Sequence, residues 1–126
     1  MPRYLDLALD IAKNSEHNFR HCAIIVKNNK IQSIALNKYM GRHFPNENQN
    51  IVARHSCHAE QQAIKQLHKK SSNATIYVAR IASYGRAYSK PCDRCTKLLI
   101  QYGISKAVYT TCFGSESIIL KDYHSS

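Results

Sequence analysis

Two short stretches, His58-Ala59-Glu60 and Pro91-Cys92-Asp93-Arg94-Cys95, constrain this chain more than any other feature of it. Both fall where a helix is expected to start. Ala59, Ala63, Ile64 and Leu67 recur at helical spacing, which predicts a helix from near His58 to about Lys70, stopped by Ser71-Ser72-Asn73. Pro91 suits a first helical turn, and Cys92, Cys95, Leu98, Leu99 and Tyr102 carry the next helix to a closing Gly103. Cys92 and Cys95, three residues apart on that first turn, project to one side and can bind one metal ion. The partial positive charge of a helix N-terminus favours their thiolate forms and is expected to lower their pKa.

His58 can supply a third ligand. Three protein ligands leave the fourth tetrahedral position of zinc open to water, which is the catalytic pattern, whereas structural sites are closed by four. Glu60, two residues after His58, then reaches that water without being a ligand and can exchange protons with it. Two readings of another class compete. A structural zinc in a nucleic-acid-binding module needs a fourth ligand, and Cys57 is the spare thiol. A redox role for Cys92 and Cys95 makes the nearby His58 and Glu60 a coincidence.

The rest of the chain reads as one domain, residues 1–126. Pro2 opens a helix to about Lys13, with Tyr4, Leu5, Ala8, Ile11 and Ala12 on one face. Residues 21–26 read as a buried strand, 27–30 as a turn and 31–37 as the hairpin partner. Residues 38–54 form a long polar loop, 75–81 a third strand, 82–90 a loop, 107–111 a fourth strand and 117–121 a fifth. The order αββαβαββ predicts an α/β fold, a three-layer α/β/α sandwich around a mixed five-stranded sheet. Only residues 112–116 separate the last two strands. A parallel crossover needs a dozen or more, so these strands are expected to pair antiparallel.

A formal net charge of +10 directs attention to anionic partners, nucleotides and nucleic acids foremost. The basic residues are spread from Arg3 to Lys121 rather than gathered in a tail. No apolar run is long enough to span a membrane, and the opening stretch mixes acids among its apolar residues, unlike a signal peptide. A cytoplasmic setting is therefore expected, with the nucleus as the second candidate. Five cysteines, an odd number, do not suggest a disulfide framework. Cys22 and Cys112, each at an apolar run, are expected to be buried small hydrophobes, and Cys57 to serve in packing.

The runs Cys57-His58-Ala59-Glu60-Gln61-Gln62-Ala63-Ile64 and Lys90-Pro91-Cys92-Asp93-Arg94-Cys95 resemble the two active-site motifs of the cytidine and deoxycytidylate deaminases. Ala74-Thr75-Ile76-Tyr77-Val78 and Gly103-Ile104-Ser105-Lys106-Ala107-Val108-Tyr109 resemble the same family, and the order of elements agrees from Tyr4 to Lys121. The resemblance implies one zinc ion per chain on His58, Cys92 and Cys95, with Glu60 as proton shuttle. The implied reaction is hydrolytic deamination at C4 of cytosine by a zinc-activated water. Dimers or tetramers of identical chains are implied as well.

For substrate contacts, Asn37 resembles the Asn with which the family contacts sugar or base, and Asn18-Phe19 resembles a pocket-lining pair. Ala59 and Pro91, inside the motifs, join the expected substrate-contacting set. His55, with Arg54, His43, Arg42, Arg86 and Lys90, is a candidate for receiving a phosphate. Asp93 and Arg94 either contact substrate or cap their helix, and Phe44, Tyr84 and Tyr88 are candidates for stacking on a base. Free-nucleoside deaminases follow the Asn with a Glu, where this chain has Lys38 and Tyr39. An antiparallel last strand, by contrast, resembles that free-nucleoside branch. A nucleoside, a nucleotide and cytosine in single-stranded DNA or RNA therefore all stand as substrates.

Overall fold

Helical spacing governs the N-terminal segment: in α1 (Arg3–Lys13), Leu5, Ala8, Leu9 and Ala12 fall on one face and are the buried residues. The computed structural model describes residues 2–14, 20–36, 59–67, 71–82 and 85–120. The long loop expected at 38–54 lies outside them.

Two strands follow, β1 (Arg20–Lys27) and β2 (Lys30–Leu36), paired antiparallel. Their two-residue turn places Asn28 and Asn29 at φ of 54° and 61°. A hairpin turn whose twist matches its strands needs positive φ at both positions, and Asn tolerates it better than most residues. The sequence continues through α2 (Ala59–Lys65), β3 (Ala74–Ala82), β4 (Gly85–Arg86), α3 (Asp93–Gln101), β5 (Ile104–Thr110) and β6 (Ser115–Ile119).

The sheet runs β2-β1-β3-β5-β6, with β4 paired to β3. β3 and β5 are parallel, and the other pairs are antiparallel, including β5 with β6. The mixed five-strand path expected from the sequence is present, with β4 added. α1 covers one face through Cys22, Ile24, Val26, Ala79 and Val108. On the other face, Ala59, Ala63 and Ile64 of α2 and Leu99 of α3 join Ala23, Ile25, Ile76, Val78 and Ala107. Five consecutive residues of β1 are buried because both faces of that strand are covered.

Several expectations need correcting. α2 ends at Lys65 with a turn to Leu67, earlier than the predicted end near Lys70, and residues 68–70 lie outside the described set. The last strand starts and ends two residues early, because its first residue, Ser115, pairs directly with Thr110. The 82–90 loop folds back as β4 to give Ile81 and Ala82 a partner. Cys22 is fully buried as expected, and burial pushes its thiol up to about 12. Cys112 is exposed instead, since it follows β5 on the turn into β6.

Gly103 closes α3 at φ +90°, and a Cβ there would lie 3.0 Å from the Ser72 Cα. Its carbonyl accepts from Asn73 N at 3.0 Å, and Tyr102 O accepts from Ser71 N at 2.8 Å, so the strained turn also anchors the start of β3. Gly103→Ala is therefore expected to cost about 2 kcal/mol and lower Tm by roughly 5–10 °C, measured by thermal and urea denaturation.

Candidate active site

Glu60 lies in the first turn of α2, 1% exposed despite its charge, and the neighbouring Ala59 is fully buried in the core. Its Oε1 has no hydrogen-bond partner among the described residues. A buried carboxylate oxygen in that state is costly unless something is to be placed against it. Nε2 of His21, the second residue of β1, stands 3.9 Å from it.

From the first turn of α3, Cys95 lies close enough to Glu60 for the carboxylate's charge to act on its thiol. Cys92 is the N-cap, extended at φ −70° and ψ 169°, rather than a residue of the first turn as expected. The consequence is small, because an N-cap side chain faces the third helical residue. That residue is Cys95, so the two thiols belong to the same end of α3. Cys92 is exposed, whereas Cys95 is 1% exposed. Burial first, then the Glu60 carboxylate and Cys92, push the Cys95 thiol well above its ordinary range, with Arg94 pulling weakly the other way. The expected lowering by the helix terminus is thus reversed at Cys95 by desolvation and a neighbouring anion.

The loop entering α3 is tied to the sheet end. Thr110 is fully buried, and its hydroxyl donates to Ala87 O at 2.7 Å. The same oxygen lies 2.8 Å from Ser89 Oγ and accepts from Arg80 N at 3.3 Å. Each hydroxyl has one proton, so a consistent arrangement runs from Ser89 to Thr110 to Ala87. Thr110 N donates to Ser89 Oγ at 2.9 Å, and Ser89 N to Thr110 O at 3.0 Å. Pro91, buried next along the chain, accepts from Thr96 Oγ1 at 3.4 Å. Together these bonds fix the approach to Cys92. Thr110→Val keeps the shape but strands Ala87 O and Arg80 N, and is expected to cost about 1–3 kcal/mol in urea denaturation, with Thr110→Ser recovering most of it.

Of the residues expected at the site, Glu60 and Cys95 are buried near one another, Cys92 is the exposed N-cap before Cys95, and Ala59 and Pro91 are buried. His58, Asn37, Phe19 and His55 lie outside the described residues, as do Cys57, Phe44 and Tyr84. Asp93 and Arg94 are exposed. His21, Ser89 and Thr110 were not anticipated. Only His21 carried a signal, as a polar residue ending the apolar alternation of Ala23 and Ile25. Tyr88, 51% exposed, meets Tyr109 edge-to-face at 5.8 Å and lines a cleft of about 400 Å³ with Cys112 and Phe113.

Among the described residues, no group of three or more His, Cys, Asp or Glu side chains is arranged to hold a metal. The donor chemistry nevertheless fits zinc: two thiols at the N-terminal end of α3, one deeply buried, near a buried carboxylate with an unpartnered oxygen. A cation there would offset the anionic charge these groups carry when deprotonated.

No curated protein matches the chain. The dCMP deaminase of cyanophage S-TIM5, in complex with dCMP and dUMP, superimposes with a TM-score of 0.61 at 23% identity, covering 84% of this chain and 76% of that one. Cytidine deaminase from Mycobacterium leprae gives a TM-score of 0.53 at 17% identity, over 93% of this chain and 94% of that one. RibD of Acinetobacter baumannii gives 0.51 at 23% identity, over 84% of this chain and 26% of that one. At such identities these likenesses show the fold. Residues 2–111 match the family described as the cytidine and deoxycytidylate deaminase zinc-binding region. With that match spanning all but the chain's ends, the chain belongs to the cytidine and deoxycytidylate deaminase family.

Proposed function

We propose that this protein hydrolytically deaminates cytosine in a nucleoside or nucleotide, with His58, Cys92 and Cys95 holding one zinc ion and Glu60 carrying the protons. The observation that carries the reading is the Glu60 carboxyl group, 1% exposed and close enough to the buried Cys95 for its charge to act on that thiol. Bound zinc would polarise a water and make it nucleophilic at neutral pH. Glu60 takes a proton from that water through a carboxylate oxygen and delivers it to the ring nitrogen next to C4. Glu60 then takes the water's second proton from the oxygen now on C4 and passes it to the departing amine as the C4–N bond breaks. Water and the amino-base thus become the keto-base and ammonia, and Glu60 ends as it began. Burial keeps bulk water from competing for those protons.

A net charge of +10 and the exposed Tyr88 and Phe113 favour cytosine in single-stranded DNA or RNA as a second reading. Ammonia release by the zinc-loaded protein decides between them. The panel is cytidine, deoxycytidine, CMP, dCMP and cytosine- and adenine-containing single-stranded oligonucleotides. Turnover of a monomer supports the first reading, and turnover of cytosine oligonucleotides alone supports the second. No turnover with zinc bound would reject both in favour of another base or a non-catalytic zinc module. We further propose a homo-oligomer in the cytoplasm; the dimer or tetramer expected from the family is read by light scattering.

A further inference from the structure

We infer that His21 is a positioning residue for Glu60, holding the carboxylate through Oε1 so that its other oxygen carries the proton. This rests on the proposed deaminase reading and assigns that site one more residue. The placement begins with strand periodicity: His21, Ala23 and Ile25 share a face of β1. Ala23 and Ile25 pack in the same cluster as Ala59 and Ala63 of α2. The next residue along that face therefore comes to the start of α2, and its Nε2 lies 3.9 Å from Glu60 Oε1.

The support behind His21 is rigid. β1 lies between β2 and β3, and His21 itself pairs with Arg80 of β3. Its backbone is thus held in the sheet, leaving two side-chain torsions to set the imidazole. Glu60 sits on the first turn of a short helix, with Ala59 and Ala63 buried on either side of it in sequence. Its longer side chain can move a few tenths of an ångström to meet Nε2. Hydrogen bonds of catalytic groups are often long in a ligand-free site and tighten when substrate arrives.

One anchored oxygen changes what the carboxylate can do. A Glu free to turn about its last torsion samples many orientations, few of which point a lone pair at both the attacking water and the ring nitrogen. With Nε2–H donating to Oε1, Oε2 is left facing the reacting groups. In a buried site such a bond is also stronger than it would be in water. The interaction acts on the reacting geometry rather than on substrate affinity, so its loss is expected in kcat and not in KM.

The experiment compares native protein with His21→Val and His21→Gln, each zinc-loaded and with its metal content measured. His21→Val is expected to lose about 10- to 100-fold in kcat, with KM within about twofold and zinc unchanged. His21→Gln, which keeps a donor, is expected to recover part of the loss and covers the case in which the Val variant folds poorly. A second readout needs no substrate: the imidazole ¹⁵N resonances of His21 are expected to shift between native protein and Glu60→Gln at fixed pH. A kcat in His21→Val within twofold of native, or imidazole resonances indifferent to Glu60→Gln, overturns the inference. If the native protein turns over no cytosine substrate, the deaminase reading falls and takes the catalytic role with it. Native turnover that ignores His21 removes the positioning role alone.

Discussion

Glu60→Gln is expected to lower kcat by about 10³–10⁴-fold, leaving the fold and the bound metal in place. The substitution keeps the length and volume of a side chain that is 1% exposed, so packing against Ala59 and Ala63 is undisturbed. What it removes is the ability to accept and return a proton. A single general acid–base group is worth up to about 10⁴-fold, and Glu60 serves more than one transfer, which argues for the upper part of the range. The variant keeps all three proposed ligands, so its metal content separates a lost proton carrier from a lost metal site. KM is expected to stay within a few-fold, because the carboxylate acts on the transition state more than on substrate binding. Steady-state ammonia release with metal analysis on the same preparation checks both halves. Activity within tenfold of native would mean that another group carries the proton.

Much of this was legible in the sequence because the motifs sit on strong local signals. Helical spacing in 59–67 and 92–102, the Asn28-Asn29 turn and the short 112–116 connection each have a direct physical reading, and each corresponds to an element of the structure. What escaped the sequence depends on tertiary approach. His21 is separated from Glu60 by 39 positions, and only the β1 register brings them to 3.9 Å. Ser89 and Thr110 look like ordinary polar residues until β4 returns the loop and places their hydroxyls 2.8 Å apart. The Cys95 thiol was misjudged for a similar reason: helix-end charge is visible in a sequence, whereas burial beside Glu60 is not. Asn37, Phe19 and His55 rest on resemblance or loop charge alone, and lie outside the described residues.

The second large effect is expected at Cys95. In Cys95→Ala the zinc affinity should fall by more than the roughly 10–100-fold that losing an outer-shell partner costs, because a direct ligand is gone. The consequence can be read from stability without any substrate. Zinc at 100 to 1,000 times its dissociation constant stabilises a folded protein by about 3–4 kcal/mol, which for a domain of this size raises Tm by roughly 10 °C. Native protein should show that rise on adding zinc and lose it to a chelator, whereas Cys95→Ala should show almost none. Cys112→Ala serves as the control, since that thiol is exposed on the turn into β6 and is not among the proposed ligands. The metal-free native and Cys95→Ala proteins should differ by no more than about 2 kcal/mol, because the change removes one sulfur atom from the core. The gap between the two must therefore open with added zinc. A gap of the same size with and without zinc would make Cys95 a packing residue and dissolve the metal site. A zinc-dependent gap would also remove the redox reading, for a dithiol pair has no reason to stabilise the fold in proportion to free metal.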